Sequence, residues 1–159
     1  FLSNSLLDGR GARLPWLQAA PDPLTTVTWG TWIEINARQA HEMGYKEGDI
    51  VRVVSIEGSI EAVVYVHPAV PPGVVCLPVG EGHNTTMEYA TKDGGERGVN
   101  PISILAPWRV EGTGALAWGA TRVLVQPTTR STKISKFEGI VPAFPIGTKA
   151  EDIVQVTRE

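Results

Sequence analysis

The residues best suited to chemistry form a glycine-rich loop, Pro78-Val79-Gly80-Glu81-Gly82-His83, which follows a run of apolar residues. Because glycine has no side chain, backbone N–H groups in such a loop can approach an anion closely and bind a phosphate or pyrophosphate. His83 could add a hydrogen bond to a phosphate or to the edge of a heterocycle. A tight turn that leads into a surface loop, with His83 on the surface, is the alternative interpretation.

Asn100 is a second candidate, because its amide group offers two donors and one acceptor to the edge of a heterocycle. It also precedes Pro101, and an asparagine in such a position can cap a helix or turn. The sequence leaves both roles open. Asn36 is interpreted as the cap of a short helix, and Arg10 as half of a salt bridge within the N-terminal segment rather than a phosphate ligand.

The sequence contains no pattern typical of a metal site or an activated nucleophile. Its three histidines, His41, His67 and His83, are far apart, and its single cysteine, Cys76, lies in an apolar run. One cysteine cannot form an intramolecular disulfide, a four-cysteine zinc site or an iron–sulfur cluster. Cys76 is therefore predicted to be a small core residue.

The composition indicates a folded domain that does not bind nucleic acid. The chain has 159 residues, 42% of them hydrophobic, and a formal charge of −3. A net-acidic chain without clustered lysine and arginine is poorly suited to nucleic-acid phosphates. No apolar run approaches the roughly 20 residues that span a bilayer, so direct membrane insertion is not expected. The start at Phe1, without a methionine or a signal-peptide pattern, suggests a piece of a longer polypeptide.

The elements that must position the candidate residues are mostly strands. Alternating β-branched and aromatic residues predict a strand over Thr26–Asn36, with Trp29 and Trp32 on opposite faces and one of them in the core. A helix is predicted over Ala37–Met43, ending at Gly44. Further strands are predicted at Asp49–Val54 and Ser59–Val66, which form a hairpin; at Val74–Val79, buried on both faces; and at Ala115–Val125, with Gly119 as a bulge.

About six strands, short helices and long glycine-rich loops predict an all-β domain closed into a small barrel, because closure removes free strand edges. Residues 1–26 are predicted to form an extended N-terminal arm, residues 27–126 the barrel, and residues 127–159 a C-terminal extension. Within that extension, residues 127–133 are predicted as a linker, and residues 136–159 as an extended segment with a short strand.

Residues 29–105 resemble the C-terminal molybdopterin-dinucleotide-binding domain of the complex iron–sulfur molybdoenzymes, the molybdopterin oxidoreductases. The resemblance lies in the order of features: a strand ending in Asn36, a short helix, Gly-Tyr-x-x-Gly-Asp at residues 44–49, a hairpin, Pro-Gly-Val-Val at residues 72–75, and the glycine-rich loop. It implies a double-psi β-barrel, the fold of aspartate decarboxylase. It also implies that the cofactor is faced by Gly80, Glu81, Gly82, His83 and Asn100.

The resemblance further implies that the chain binds the nucleotide part of a molybdopterin dinucleotide within a larger redox enzyme. In this family the molybdenum ligand and the catalytic residues lie in other domains, so no catalytic residue and no metal ligand is expected in this chain. The expected partners are the rest of the parent polypeptide, an iron–sulfur region and membrane subunits.

The N-terminal segment narrows the resemblance to one branch. Asp8-Gly9-Arg10-Gly11, followed by LPWLQAAPDPLT, is similar to polysulfide reductase and to the large iron–sulfur subunit of alternative complex III. In that complex the domain is thought to have lost its cofactor, so a cofactor-free structural domain in a membrane electron-transfer complex is the alternative function. Four carboxylates of the loop favour this alternative because they would repel a pyrophosphate unless they point away: Glu81, Glu88, Asp93 and Glu96. The branch implies a periplasmic location or the outer face of the cytoplasmic membrane.

Two other functions occur on the same fold. A free-standing barrel can be a protein-interaction module, as in the N-terminal domains of some AAA ATPases, but apolar residues of the arm favour a domain that meets the rest of a parent protein. Gly58-Ser59 is the type of bond that pyruvoyl-dependent aspartate decarboxylase cleaves in its own chain. The neighbours of this pair do not resemble that enzyme, and the pair is interpreted as an ordinary hairpin turn.

Overall fold

The computed structural model describes residues 1–83, 89, 91–92 and 95–137 of the chain. Its strands are β1 (Trp32–Ile35), β2 (Asp49–Val54), β3 (Ser59–Val66), β4 (Val75–Cys76), β5 (Thr91–Lys92), β6 (Gly95–Glu96) and β7 (Leu124–Ser131). The α-helices are α1 (Pro15–Gln18) and α2 (Ala37–Met43), and 3-10 turns cover Pro101–Ile104 and Trp118–Ala120. The domain is thus rich in strands with few short helices, as the sequence predicts.

Five strands form one sheet in the order β4-β1-β3-β2-β7, while β5 and β6 pair with each other. Strands β1 and β3 run parallel, with Ile33 opposite Val64, and the other neighbours in the sheet are antiparallel. Within the described residues β4 and β7 are the two edges, so this sheet is open. The closed double-psi barrel expected from the resemblance is not shown by these strands, because the edge strand β4 has only two residues.

The main hydrophobic cluster lies on one face of the sheet, where alternate strand residues are apolar. Ile33, Val51, Val53 and Val64 have no exposed surface, and Ala40 of helix α2 packs against the same cluster. Each such aliphatic side chain contributes about 1.5–3 kcal/mol on burial. The hairpin β2–β3 predicted from the alternation is confirmed with its predicted bounds.

Helix α2 begins and ends where the sequence predicts. The Asn36 Oδ1 atom accepts hydrogen bonds from the backbone N–H groups of Arg38 and Gln39 at 3.0 and 3.3 Å. The Asn36 amide donates to the Val70 carbonyl at 2.7 Å, which ties the cap to the loop before β4. Gly44 ends the helix in the left-handed conformation, at φ 74°. The prediction of Asn36 as a cap is therefore confirmed.

Two strands are shorter than the sequence predicts. The first begins at Trp32 rather than Thr26, because Thr26 and Trp29 have positive φ angles of 58° and 56°, which break an extended chain. The segment predicted as Val74–Val79 contributes only the two half-buried residues of β4 to the sheet. Its expected burial on both faces is therefore wrong for those residues.

The predicted closing strand Ala115–Val125 is also wrong. Trp118–Ala120 forms a 3-10 turn, so Gly119 is not a bulge, and the strand starts at Leu124. It then continues through the predicted linker as far as Ser131. Pro127 is tolerated inside β7 because an edge strand does not need every backbone donor.

The N-terminal arm packs along the chain that leads to the glycine-rich loop. The Phe1 backbone nitrogen donates to the Leu77 carbonyl at 3.0 Å, and Val79 exchanges backbone hydrogen bonds with Phe1 and Ser3. The predicted salt bridge in the arm is confirmed, since Arg10 NH2 lies 2.8 Å from an Asp8 carboxylate oxygen. The arm therefore forms one side of the region where the candidate residues lie.

No helix in the described ranges is both long and apolar enough to cross a membrane. The short strand predicted in the C-terminal tail falls within residues 138–159, which lie outside the described residues.

Replacement of Asn36 tests whether its cap stabilises helix α2. Asn36→Ala removes both the cap and the bond to Val70, so we expect the free energy of unfolding to fall by about 1–2 kcal/mol in urea titrations. Asn4→Ala is the control, because Asn4 makes one exposed side-chain hydrogen bond at 3.3 Å, and a change within about 0.5 kcal/mol is expected there. Equal effects of the two substitutions would contradict the capping role.

Candidate functional site

The structure brings together the glycine-rich loop and Asn100, which are far apart in the sequence. The Gly82 backbone N–H donates to the Arg97 carbonyl at 2.9 Å. A Cβ atom on Gly82 would lie 2.2 Å from the Asn100 nitrogen, and Gly82 has a φ of 81°. Only glycine fits there, because the loop lies directly against the backbone of Val99 and Asn100.

Gly80 and His83 pack the loop against the N-terminal arm. A Cβ atom on Gly80, which has a φ of 137°, would lie 2.8 Å from Leu6 Cβ. The His83 ring nitrogen Nε2 lies 3.2 Å from the Gly80 carbonyl oxygen, and a Cβ atom on Gly9 would lie 2.7 Å from the same nitrogen. The glycines of this region are therefore required by the packing of the chain on itself.

Asn100 caps the 3-10 turn that follows it. Its Oδ1 atom accepts a hydrogen bond from the Ile102 N–H at 3.0 Å, and the residue is exposed. Its amide nitrogen makes no hydrogen bond to the described residues, so two donors remain available at the surface. The cap is confirmed, and it leaves Asn100 able to donate to a ligand.

Glu81 points into the protein instead of toward solvent. Only 6% of its surface is exposed, and neither carboxylate oxygen has a hydrogen-bond partner among the described residues. Gln18 lines the same small cavity; its amide donates to the Ala12 carbonyl at 2.9 Å, while its oxygen has no partner among those residues. The cavity volume of about 20 Å³ is enough for one water molecule.

Burial raises the pKa of Glu81 to about 7, against the opposing effects of the Gln18 side chain, the Arg97 charge and the Gly30 backbone N–H. Glu81 is therefore largely neutral in mildly acidic solution and does not present a full negative charge to the surface. Because Glu81 points inward, only three of the four carboxylates expected to repel a pyrophosphate still require an explanation. Of the other three, Glu88 and Asp93 lie outside the described residues, and the Glu96 side chain is not described.

Residues 27–30 line both this cavity and an open groove. Trp29 and Gly30 belong to both, and the groove has a volume of about 280 Å³. The Arg97 guanidinium carbon lies 4.7 Å from the centre of the Trp29 ring. Trp29 is half-buried, whereas Trp32 is 6% exposed and donates from its indole nitrogen to Glu34 at 3.0 Å. The prediction that one of the two tryptophans lies in the core is confirmed for Trp32.

A separate polar cluster surrounds β1. The Glu34 carboxylate lies 3.6 Å from His67 Nδ1, and Cys76 is paired with Glu34 across the sheet. Burial, together with the Glu34 charge, raises the pKa of the half-buried Cys76 thiol. A raised thiol pKa disfavours the reactive thiolate. No group of three or more His, Cys, Asp or Glu residues in the described part of the chain could hold a metal ion.

Sequence reasoning missed Gln18, Arg97 and Lys133. Gln18 carries no local signal, because its neighbours predict only an irregular arm. Arg97 lies between Gly95 and Gly98, and a cation among glycines was the available signal for an anion-binding segment. Lys133 falls in the predicted linker, so its place in the groove has no counterpart in the sequence pattern.

Gly82 tests the close approach of the loop to Asn100. Gly82→Ala adds a Cβ atom at a positive φ and against backbone, whereas Gly73→Ala adds one at a φ of 79° in open space. We expect Gly73→Ala to lower the free energy of unfolding by about 1–2 kcal/mol and Gly82→Ala to lower it by roughly 2 kcal/mol more. If urea unfolding gives the same loss of unfolding free energy for both variants, the loop does not lie directly against Asn100.

The pH dependence of stability tests the burial of Glu81. Because folding raises its pKa from 4.5 to about 7, its contribution to stability is complete below pH 4.5 and declines as the pH rises toward 7. Glu81→Gln abolishes this decline, so the stability of the variant relative to wild type should rise by about 3 kcal/mol between pH 4.5 and pH 8. Urea unfolding at several pH values measures it.

The control for this titration is Glu57→Gln, which removes an exposed carboxylate of the hairpin turn. Its stability relative to wild type should change little over the same pH range. A flat difference for Glu81→Gln as well would contradict the burial of the carboxyl group.

Comparisons with known proteins show the family of the chain. Residues 21–137 match the family model described as the Molydopterin dinucleotide binding domain. The chain is 32% identical over 126 residues to ArrA, the molybdopterin-containing subunit of the arsenate respiratory reductase of Chrysiogenes arsenatis, in an alignment that covers 75% of this chain and 15% of that protein. It is 38% identical over 48 residues to a tetrathionate reductase subunit of Archaeoglobus fulgidus, covering 30% of this chain and 4% of that protein.

The chain thus spans about 15% of the length of the arsenate reductase subunit that it matches. The family model covers well over half of the chain, including the glycine-rich loop, Asn100 and all five strands of the sheet. The chain therefore belongs to the molydopterin dinucleotide binding domain family.

Proposed function

We propose that the glycine-rich loop and Asn100 contact a molybdopterin dinucleotide within the catalytic subunit of a molybdopterin oxidoreductase. Membership of the dinucleotide-binding family makes that cofactor the ligand of this domain. The observation that supports the residue assignment is the contact between Gly82 and the backbone of Asn100, a residue whose side chain keeps an available amide donor.

The described residues fit such a ligand. The Asn100 amide can donate to a heterocycle edge or a phosphate oxygen, and His83 lies on the glycine-rich loop next to it. Glu81 is turned inward and is largely neutral in mildly acidic solution, so it adds little repulsion toward a phosphate. In this assignment Gly80 and Gly82 shape the loop, and Glu81 fixes it from the inside. When bound, the cofactor supplies the redox-active metal, and the residues of this chain bind and orient its nucleotide end.

Exposed aromatic surface supports the placement of this domain in a larger polypeptide. Trp108 and Trp118 are 62% and 40% exposed, and they flank a turn of the chain in which the Ala117 N–H donates to the Trp108 carbonyl at 2.8 Å. Large exposed aromatic residues of this kind are typical of surfaces that pack on another domain. The match to a small part of a much longer reductase subunit agrees with this.

The parent protein is proposed to reduce an oxyanion or a sulfur compound at a site outside this domain. Two relatives of the chain are subunits of an arsenate reductase and of a tetrathionate reductase. The arm sequence adds the resemblance to polysulfide reductase and to the large iron–sulfur subunit of alternative complex III. From that branch we propose an iron–sulfur region, membrane subunits, and a location in the periplasm or on the outer face of the cytoplasmic membrane. We also propose that the chain is divided into an arm, a barrel and an extension, and that the barrel is a closed double-psi barrel. The parallel pairing of β1 with β3 supports this, because a simple antiparallel meander contains no parallel pair.

Asn100→Asp tests the cofactor contact, because it keeps the oxygen that caps the 3-10 turn and removes the amide donors. In the parent enzyme we expect the thermal midpoint to stay within a few degrees. We expect the retained pterin, measured by fluorescence after oxidation, to fall about tenfold, since a donor is lost and a carboxylate is introduced.

The matched control is Gln126→Glu, which makes the same amide-to-carboxylate change at an exposed position of β7. It should leave the pterin content unchanged. If Asn100→Asp retains as much pterin as this control, Asn100 does not contact the cofactor.

A further inference from the structure

Among the described residues, the open groove carries only positive charge, in a chain whose net charge is negative. It opens between residues 27–32, residues 97–98 and residues 132–135, and its volume is about 280 Å³. Its described lining contains two cations, Arg97 and Lys133, and no carboxylate. Small-ligand sites begin at about 300 Å³, so the groove can accept part of a ligand rather than a large whole one.

Arg97 is held in place from several directions. Its guanidinium carbon lies 4.7 Å from the centre of the Trp29 ring, and its Nε donates to the Tyr89 carbonyl at 2.9 Å. A Cβ atom on the following Gly98 would lie 2.6 Å from Thr31 Oγ1 and 2.8 Å from Glu81 Cβ. The backbone that carries Arg97 is therefore wedged between two neighbours, and its charge is fixed at the groove.

Trp29 adopts a strained backbone conformation in the wall of the groove. Its φ of 56° is left-handed, which costs a bulky residue about 1 kcal/mol or more. The next residue, Gly30, has a φ of 129°, and no described atom lies within 4 Å of the position of a Cβ there. The strained backbone of Trp29 thus costs conformational energy, while the space beside Gly30 stays open. Strained residues of this kind are common at ligand sites.

Lys133 completes the charge of the groove. It is exposed, and no carboxylate of the described residues lies within ion-pair distance of it. By contrast, Lys136 three residues later pairs with Glu47 at 2.6 Å. A lysine ammonium is a compact point charge suited to a phosphate oxygen, and arginine adds directed donors to the same group.

We propose that Arg97 and Lys133 bind a phosphate group in this groove. This inference rests on the proposed function, and it assigns the phosphate to the nucleotide end of the molybdopterin dinucleotide. The Arg97 carbonyl accepts a hydrogen bond from Gly82, so the groove is directly connected to the glycine-rich loop. Thr132 and Ser135 line the same groove, and each carries a hydroxyl donor.

The test compares charge-removing variants of the parent enzyme. Lys133→Gln should increase the rate at which the dinucleotide is lost on dialysis by about tenfold, because one charge-assisted contact disappears. The readout is the nucleotide released by acid hydrolysis per enzyme, which does not depend on activity. The control is Arg38→Gln, which removes an exposed cation of helix α2 and should leave retention unchanged.

Arg97 is tested with two substitutions, because its contact with Trp29 also supports the local structure. Arg97→Lys keeps the charge and should retain most of the dinucleotide, whereas Arg97→Gln should lose it at least as fast as Lys133→Gln. The thermal midpoint of each variant identifies general destabilisation. Wild-type retention in Lys133→Gln and Arg97→Gln overturns the inference while the proposed function stands; absence of the dinucleotide from the wild-type parent overturns both.

A final arm of the experiment distinguishes the source of the phosphate. Parent enzyme stripped of cofactor is titrated with inorganic phosphate and with guanosine diphosphate. The inference predicts tighter binding of the diphosphate and weaker binding of both probes in Lys133→Gln. If the two probes bind equally and dinucleotide retention is insensitive to Lys133, the groove is a site for free phosphate and the assignment to the cofactor is wrong.

Discussion

The contact between Gly82 and the backbone of Val99 and Asn100 is the constraint on which the rest of the site depends. A side chain at Gly82 would lie 2.2 Å from the Asn100 nitrogen, so the two segments can meet only at a glycine. The same approach brings the Arg97 carbonyl to the Gly82 N–H. The glycine-rich loop therefore lies against the segment that carries both Arg97 and Asn100.

A buried carboxyl group and the N-terminal arm support this contact from the inside. Glu81 fills the space beneath Gly98, and its cavity is shared with Gln18 of helix α1. Leu6 and Gly9 of the arm press on Gly80 and His83. The arm is thus a structural part of the site, and the neutral form of Glu81 limits the cost of burying a carboxyl group.

The sequence predicts the elements whose signals are local. Asn36 and Gly44 mark the ends of helix α2, and the alternation around Glu57-Gly58 marks the hairpin, because capping and turn chemistry act within a few residues. Trp29 has a left-handed backbone and Pro127 lies in an edge strand, and both depend on contacts made by distant segments. The strands predicted through these regions are therefore misplaced.

In the candidate site, too, the features with local sequence signals could be predicted and those that depend on distant contacts could not. The glycine-rich loop and Asn100 could be identified from residue types and from the order of features that the chain shares with its family. The inward orientation of Glu81 and the environment of the Gln18 oxygen arise only because residues 18 and 81 meet in one cavity. Arg97 and Lys133 likewise come to line one groove only when their two segments meet. No local pattern encodes such a meeting.

The most direct test of this account is to measure the metal and the nucleotide in the intact parent protein, purified with its partners. The account predicts molybdenum or tungsten together with a pterin that releases its nucleotide on acid hydrolysis. A protein that contains iron but neither pterin nor nucleotide would contradict it, and would make this domain a cofactor-free structural part of an electron-transfer complex.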